Sequence, residues 1–266
     1  MIGRRLRDWL VDDSLRSLDV DSIEYSLAHR RILLRKVMLR RMFENFYLEC
    51  RLMDLTYFQD CPGKRVEIGS GSGFIGDVYP DVLTSDIKEL PFVDVVFRAD
   101  QMPFPQASLR AVYAINVFHH LADPRRLFRE LLRVLHPGGG IVLIEPFYGL
   151  FARWLFRNLH ASEGFDPAAP HWESPAQTGP VSNANQALSY IVFERDRKQF
   201  EREFPGLALV FARPHTHLWY LVSGGVNFKQ LAPDLFALPV QFAERLLGPL
   251  NRWIALQHTI VLRRSP

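Results

Sequence analysis

Val66-Glu67-Ile68-Gly69-Ser70-Gly71-Ser72-Gly73 is an apolar, acid-bearing run that ends in three glycines at alternate positions. Arg65–Ile68 reads as a short strand, so the glycines fall where the strand gives way to the next element. Without a Cβ, glycines let the backbone turn tightly and come close to a ligand. A helix after the loop would offer its first N–H groups to a carboxylate or phosphate. Asp86 stands 19 residues after Glu67, at the end of the next β-like run, placed to accept hydrogen bonds from ribose hydroxyls. Asp100, after the third run, sits where an adenine amino group can be read.

Outward from this loop, the β-like runs are Arg65–Ile68, Val82–Ser85, Val95–Arg98, Ala111–Ile115 and Gly140–Ile144. Between the last two, Pro124–Leu135 carries Leu or Phe at 127, 128, 131, 132 and 135, the spacing of one helix face. His136-Pro137-Gly138-Gly139-Gly140 is a strong breaker after it. Near-continuous apolar strands alternating with helices predict an α/β fold, a parallel sheet with helices on both faces.

Residues 1–60 read as a helical extension covering the main domain at 61–266. Ser26–Met53 lacks Gly and Pro and predicts one long helix. Six basic residues (Arg30, Arg31, Arg35, Lys36, Arg40, Arg41) precede its first acid, and they suggest peripheral contact with a membrane surface. At 100° per residue they scatter around the helix, which weighs against that reading. Residues 147–190 are irregular, rich in Pro and Gly, and read as a lid or binding loop. Glu194–Phe204 predicts a helix, Leu207–Ala212 and Gln257–Arg263 predict strands, and 214–254 reads as an insertion before the last strand.

The 266 residues are 48% hydrophobic and 23% charged, which excludes a disordered chain. Two cysteines are too few for a disulfide framework or a four-cysteine zinc site, and they fit a reduced, cytoplasmic setting. A net charge of +3 gives no strongly basic domain of the kind a nucleic-acid binder shows. Acids interrupt the apolar run of MIGRRLRDWLVDD, so no signal peptide is expected, and no run of about 20 apolar residues predicts a transmembrane helix. No metal is expected either. His215 and His217 lack an accompanying carboxylate-rich motif and would share one strand face.

Gly71-Ser72-Gly73-Phe74-Ile75-Gly76 also satisfies the dinucleotide fingerprint of an NAD(P)-dependent oxidoreductase. There the ribose acid comes about 20 residues on, whereas Asp86 is 15 past Gly71, and no Tyr-x-x-x-Lys pair occurs. Five stretches in order carry another resemblance: Glu67–Gly73, Asp86, Ala99–Phe104, Asn116–Leu121 and Arg133–Gly139. Together they resemble the class I S-adenosylmethionine-dependent methyltransferases, closest to the small-molecule branch called methyltransferase type 11, over about residues 61–146. The resemblance implies a Rossmann-like, seven-stranded sheet of order 3-2-1-4-5-7-6 with the last strand antiparallel. One departure is that about 40 residues separate the expected last two strands.

It further implies S-adenosylmethionine as cofactor. Gly69, Ser70, Gly71 and Gly73 would pass under its methionine part, and Glu67 would support the ammonium. Asp86 would take the ribose, Asp100 with the Gln101 backbone the adenine, Asn116 would lie beside the methionine and the transferable methyl, and Ile87 and Met102 would also be cofactor-binding. For the chemistry itself, His119 and His120 follow the fourth strand at the carboxyl edge, where open α/β sheets bind ligands. Either imidazole suits a general base, or simply caps the next helix. Glu145 points to the same edge, as catalyst or as a structural hydrogen-bonding group, while Tyr148, His160 and Trp172 are lesser candidates from the lid. Asn116-Val117-Phe118-His119 lacks the Asn/Asp-Pro-Pro-aromatic signature of nucleic-acid-base methylation. The expected acceptor is a small molecule, lipid- or sugar-linked if the membrane reading holds. The alternative is a non-catalytic scaffold that binds the cofactor.

Overall fold

The apolar runs alternate between two cores, and that alternation builds the architecture. In the computed structural model, which describes residues 9–158, 164–174 and 184–265, two helices come first: α1 (Ile23–Arg35) and α2 (Val37–Tyr57). Next come β1 (Lys64–Glu67), α3 (Ile75–Val78), β2 (Val82–Asp86), β3 (Val95–Val96) and β4 (Leu109–Ile115). They are followed by α4 (Pro124–Val134), β5 (Leu135–Pro146) and α5 (Leu150–Asn158). A short α6 (Leu188–Tyr190) continues through a π-helical turn, Ile191–Arg195, toward α7 (Arg197–Glu203). The chain ends with β6 (Leu207–His215), α8 (Leu218–Ser223), α9 (Ala237–Leu246), α10 (Asn251–Ile254) and β7 (Gln257–Arg264).

The sheet has the order β3-β2-β1-β4-β5-β7-β6, parallel except for β7, which runs antiparallel to both neighbours. Successive residues of a strand face opposite sides. Val112, Ala114, Ile141 and Leu143 therefore enter one core with Leu127, Phe128 and Leu131 of α4. Ala111, Tyr113, Val142 and Ile144 enter the other, with Ile32 and Leu33 of α1 and Met42 and Phe46 of α2. The N-terminal helices thus form one of the two layers that bury the sheet. Asp54, fully buried near the end of α2, fastens this layer. It accepts from Arg65 Nε at 2.5 Å, Arg110 Nε at 2.6 Å and the Tyr113 hydroxyl at 2.7 Å.

Three expectations are corrected. The single helix at 26–53 is two, because Lys36 leaves the helical region and is buried. Its Nζ donates to the carbonyls of Ser223, Gly225 and Phe228, anchoring the chain after α8. The breaker after α4 lies inside a strand. Pairing jumps from Leu109↔Leu135 to Ala111↔Gly140, so 136–139 bulge out, and Gly140 packs where a Cβ would stand 2.2 Å from Leu262 O. The helix expected at 194–204 starts earlier and includes the π-helical turn.

Candidate active site

The loop after β1 is built on two left-handed glycines, Gly69 at φ +61° and Gly71 at φ +51°. A Cβ on Gly69 would stand 2.6 Å from Val117 Cγ2, so the loop lies flush against the end of β4. Ser70 ties the loop to β2: its N–H donates to Ser85 O at 2.7 Å and its Oγ accepts from Ser85 N at 3.1 Å. Gly71 N–H donates to Asp86 Oδ2 at 2.8 Å, and Lys88 N–H to Asp86 Oδ1 at 2.8 Å. Each carboxylate oxygen keeps lone-pair capacity for a ligand hydroxyl. From outside, α1 braces the loop, with Arg30 donating to Gly73 O and to Asp77. The helix expected after the glycines is a single turn, α3, so helical N–H groups contribute little here.

A cavity of about 860 Å3 opens on this loop. Its wall brings together Gly69, Ser70, Gly71, Gly73, Asp86, Ile87, Asp100, Asn116, His119 and His120, residues singled out in the sequence. Asn116 adopts a left-handed φ of +55°, which Asn tolerates better than most residues. Asp100 is held by Arg98 through Nε at 2.9 Å and the other guanidinium nitrogen at 3.2 Å.

Other expected positions lie elsewhere. Glu67 is off the wall, buried beneath the loop, where its Oε2 has no hydrogen-bond partner among the described residues. Burial, opposed by a Ser70 hydrogen bond and reinforced by the charge of Asp86, raises its carboxyl to about 7. Gln101 is exposed, and its N–H closes a tight turn on Arg98 O at 2.9 Å. Met102 is buried, with its N–H on Glu130 Oε1 at 2.6 Å. Neither lines the cavity, because this turn points them into solvent and core.

The catalytic candidates separate clearly. Glu145, fully buried at the end of β5, is off the wall. Its Oε1 accepts from Val117 N–H and Phe118 N–H, each at 2.8 Å. Its Oε2 meets His119 Nδ1 at 2.6 Å and His119 N–H at 3.3 Å. This carboxylate shapes the turn after β4 and orients the His119 ring. His120 lies beside it, with ring centroids 4.2 Å apart. Tyr148 stacks on Tyr190 at 3.8 Å, and Trp172 is buried with Nε1 donating to Asp196 at 2.9 Å, so both serve packing, off the wall. His160 lies outside the described residues.

His215 and His217 do not share a strand face: β6 ends at His215, and His217 caps α8 by accepting from Leu218 N–H at 2.9 Å. Among the described residues no group of His, Cys, Asp and Glu is arranged to hold a metal ion.

The sequence reading missed the far wall. Tyr25 and His29 of α1 meet Asn227 there: His29 Nε2 lies 2.9 Å and the Tyr25 hydroxyl 3.0 Å from Asn227 Oδ1. Gln257, at the start of β7, adds a buried amide whose Oε1 has no partner among the described residues. The i, i+4 spacing of Tyr25 and His29 marks a shared helix face, but nothing local pairs it with a residue some 200 positions away.

Residues 66–143 match the family model described as "Methyltransferase domain". A 27-O-demethylrifamycin SV methyltransferase from Amycolatopsis mediterranei is 40% identical over 52 residues, 18% of this chain and 19% of that protein. A probable S-adenosylmethionine-dependent methyltransferase from Mycolicibacterium smegmatis is 33% identical over 101 residues, 32% of this chain and 39% of that protein. The chain thus spans well under half the length of these curated relatives. Among solved structures, a geranyl diphosphate C-methyltransferase from Streptomyces coelicolor aligns with TM-score 0.49 at 14% identity, covering 97% of this chain and 89% of that one. A SAM-dependent methyltransferase from Archaeoglobus fulgidus aligns with TM-score 0.47 at 16% identity, covering 84% and 94%. With its glycine loop and Asp86 on a sheet of order 3-2-1-4-5-7-6, this chain has the Rossmann-like fold of the class I methyltransferases, and its residues 66–143 are similar to a methyltransferase domain.

Proposed function

We propose that this chain transfers a methyl group from S-adenosylmethionine to a small organic acceptor. The observation that carries the reading is one cavity running from the Gly69–Gly73 loop and Asp86 to His119, Asn227 and Gln257. The residues present fit the cofactor. Two left-handed glycines leave open backbone where a side chain would intrude, and Asp86 retains acceptor capacity toward a ribose. Ile87 and Asp100 would flank the base, and Asn116 the methionine part. Bound S-adenosylmethionine supplies a methyl already activated on a sulfonium, so the protein's main task is to hold the acceptor in line behind it.

For that task the far wall offers Gln257 and the Tyr25–His29–Asn227 cluster as hydrogen-bonding partners for the acceptor. His119 is the general base for an acceptor hydroxyl. Glu145 holds the proton on Nδ1, which makes Nε2 the basic nitrogen. Titration calorimetry with S-adenosylmethionine and S-adenosylhomocysteine tests the reading, with saturable binding expected for both. A chain that binds neither overturns it. A chain that binds both yet methylates nothing in a screen of small-molecule acceptors is the scaffold instead.

A further inference from the structure

The segment between β6 and β7 carries an apolar face that stands exposed among the described residues. Along α9, Val240 and Glu244 turn inward: Val240 joins the core, and Glu244 accepts from His217 N–H at 2.9 Å and Trp219 N–H at 3.1 Å. On the opposite side Leu238, Phe242 and Leu246 recur every four residues and stand in solvent, each about two-thirds exposed, with Leu235 preceding them at 74%. A helix docked in a globular core shows the reverse pattern. The face continues across α10, where Trp253 is exposed, onto α5, where Trp154 is exposed; α5 and α10 pack together. Isolated exposed apolar residues are ordinary, but a contiguous set on three neighbouring helices marks an interaction surface.

The charges beside this face indicate its occupant. Arg245 lies on α9 between Phe242 and Leu246, Arg252 places its guanidinium 5.5 Å from the Trp253 ring, and Arg157 ends α5. Of the two acids in 229–254, Glu244 faces inward and Asp234 accepts from Gln230. A cationic margin around apolar side chains, with tryptophans at its edge, matches an anionic bilayer surface. A second copy of this chain, brought face to face, would set the arginines against one another. No described helix is long and apolar enough to cross a membrane, so contact of this kind is superficial.

We infer that the α5–α9–α10 face docks this chain on an anionic lipid bilayer. One of these elements reaches the cavity directly, through Phe156 of α5, and α9 packs on α8, whose Tyr220 also lines it. The docked face therefore brings the cavity wall to the membrane, and the acceptor class this favours is an amphiphile dissolved there. That last step rests on the methyl-transfer reading; the docking does not. In the basic stretch at 30–41, Arg30 and Lys36 are used inside the molecule and Arg35 pairs with Asp12, while Arg31, Arg40 and Arg41 are exposed.

Flotation of the full chain with vesicles tests the docking, using phosphatidylcholine alone and phosphatidylcholine mixed with phosphatidylglycerol, at low and high salt. The wild type is expected to float with the mixed vesicles. Leu238→Ser, Phe242→Ser and Leu246→Ser together should cut the bound fraction at least about tenfold, with Tm unchanged. Arg245→Gln with Arg252→Gln, a milder change, should cut binding to mixed vesicles about tenfold and flatten its salt dependence. A wild type that floats with neither vesicle, or serine and glutamine variants that float as well as it does, overturns the inference. So does a lipid-free dimer in sedimentation that the serine variant dissociates, because the face would then belong to a second copy. Cofactor calorimetry and the acceptor screen on the same preparations read cofactor binding and methyl transfer separately from flotation.

Discussion

Glu145 Oε2 lies 2.6 Å from His119 Nδ1, while its other oxygen holds the N–H groups of Val117 and Phe118. One buried carboxylate therefore sets both the backbone turn after β4 and the tautomer of the ring. Glu145→Ala should cost about 3 kcal/mol of stability, because it leaves several buried donors without an acceptor. Glu145→Gln keeps an acceptor for the backbone and should cost less, yet it should still lower kcat and displace the acid limb of its pH profile. His119→Ala should lower kcat by roughly 10²- to 10⁴-fold with little effect on cofactor affinity. Urea denaturation and initial rates across pH distinguish these roles. A glutamine variant with wild-type kcat and profile would reduce Glu145 to scaffolding.

Asp86 binds the Gly71 and Lys88 N–H groups as well as facing the cavity. Asp86→Asn keeps an acceptor oxygen for the loop and removes the charge. It is expected to weaken S-adenosylmethionine binding about tenfold, and Asp86→Ala about a hundredfold, each roughly 1.4 kcal/mol per decade. Gly69→Ala should also abolish tight binding, since its Cβ would collide with Val117 at a left-handed φ. Calorimetry reads all three.

Asp54 compensates two arginines and a tyrosine from a fully buried position. Removing it in Asp54→Ala leaves Arg110 without its carboxylate and Arg65 with Asp81 alone in a poorly solvated site, and a loss of about 3 kcal/mol is expected. The loss should appear as a lower urea midpoint. A change under about 1 kcal/mol would show that the arginines reach water instead.

Glu67, raised from 4.5 to about 7 by burial, gives stability an acid-favouring component. Above pH 4.5 the unfolded chain ionises while the folded one does not, so stability falls from there to about pH 7 and then levels off. Glu67→Gln should remove that component and gain on the order of 2 kcal/mol at pH 8 relative to pH 5, compared with wild type. Denaturation curves at the two pH values check the difference.

His215 and His258 act in the opposite direction. Burial pushes both imidazoles to about 3, aided by Arg213 for the first and by His215 for the second. Stability is complete above pH 6.5 and falls as pH drops toward 3, since only the unfolded chain takes up these protons. With both present the slope approaches about 2.7 kcal/mol per pH unit; His258→Gln should halve it. Equilibrium denaturation between pH 4 and 6 measures the slope.

The sheet was legible because strand periodicity and the glycine loop are local signals. Residues 111–115 alternate faces along one strand, and Gly69 to Gly73 turn where a strand ends. Asp86, Asn116 and His119 came within reach because each follows a strand at the same sheet edge. What stayed hidden depends on partners distant in sequence. Lys36 reads as one more helical base until three carbonyls near 225 bury it. Glu67 and Glu145 carry the right residue types at the right edge, yet the direction of each side chain is set by tertiary packing. Asn227 has no local signature at all.

The grip of Lys36 on Ser223, Gly225 and Phe228 has a bearing on engineering. It joins the leading helices to the segment before β7, so the far wall of the cavity, the proposed acceptor side, is a composite of two regions distant in sequence. A chimera that exchanges either region alone would bring mismatched halves of that wall together. Transplanting acceptor preference between related sheets calls for moving both regions as a matched pair, with the lysine and its three carbonyls kept in register.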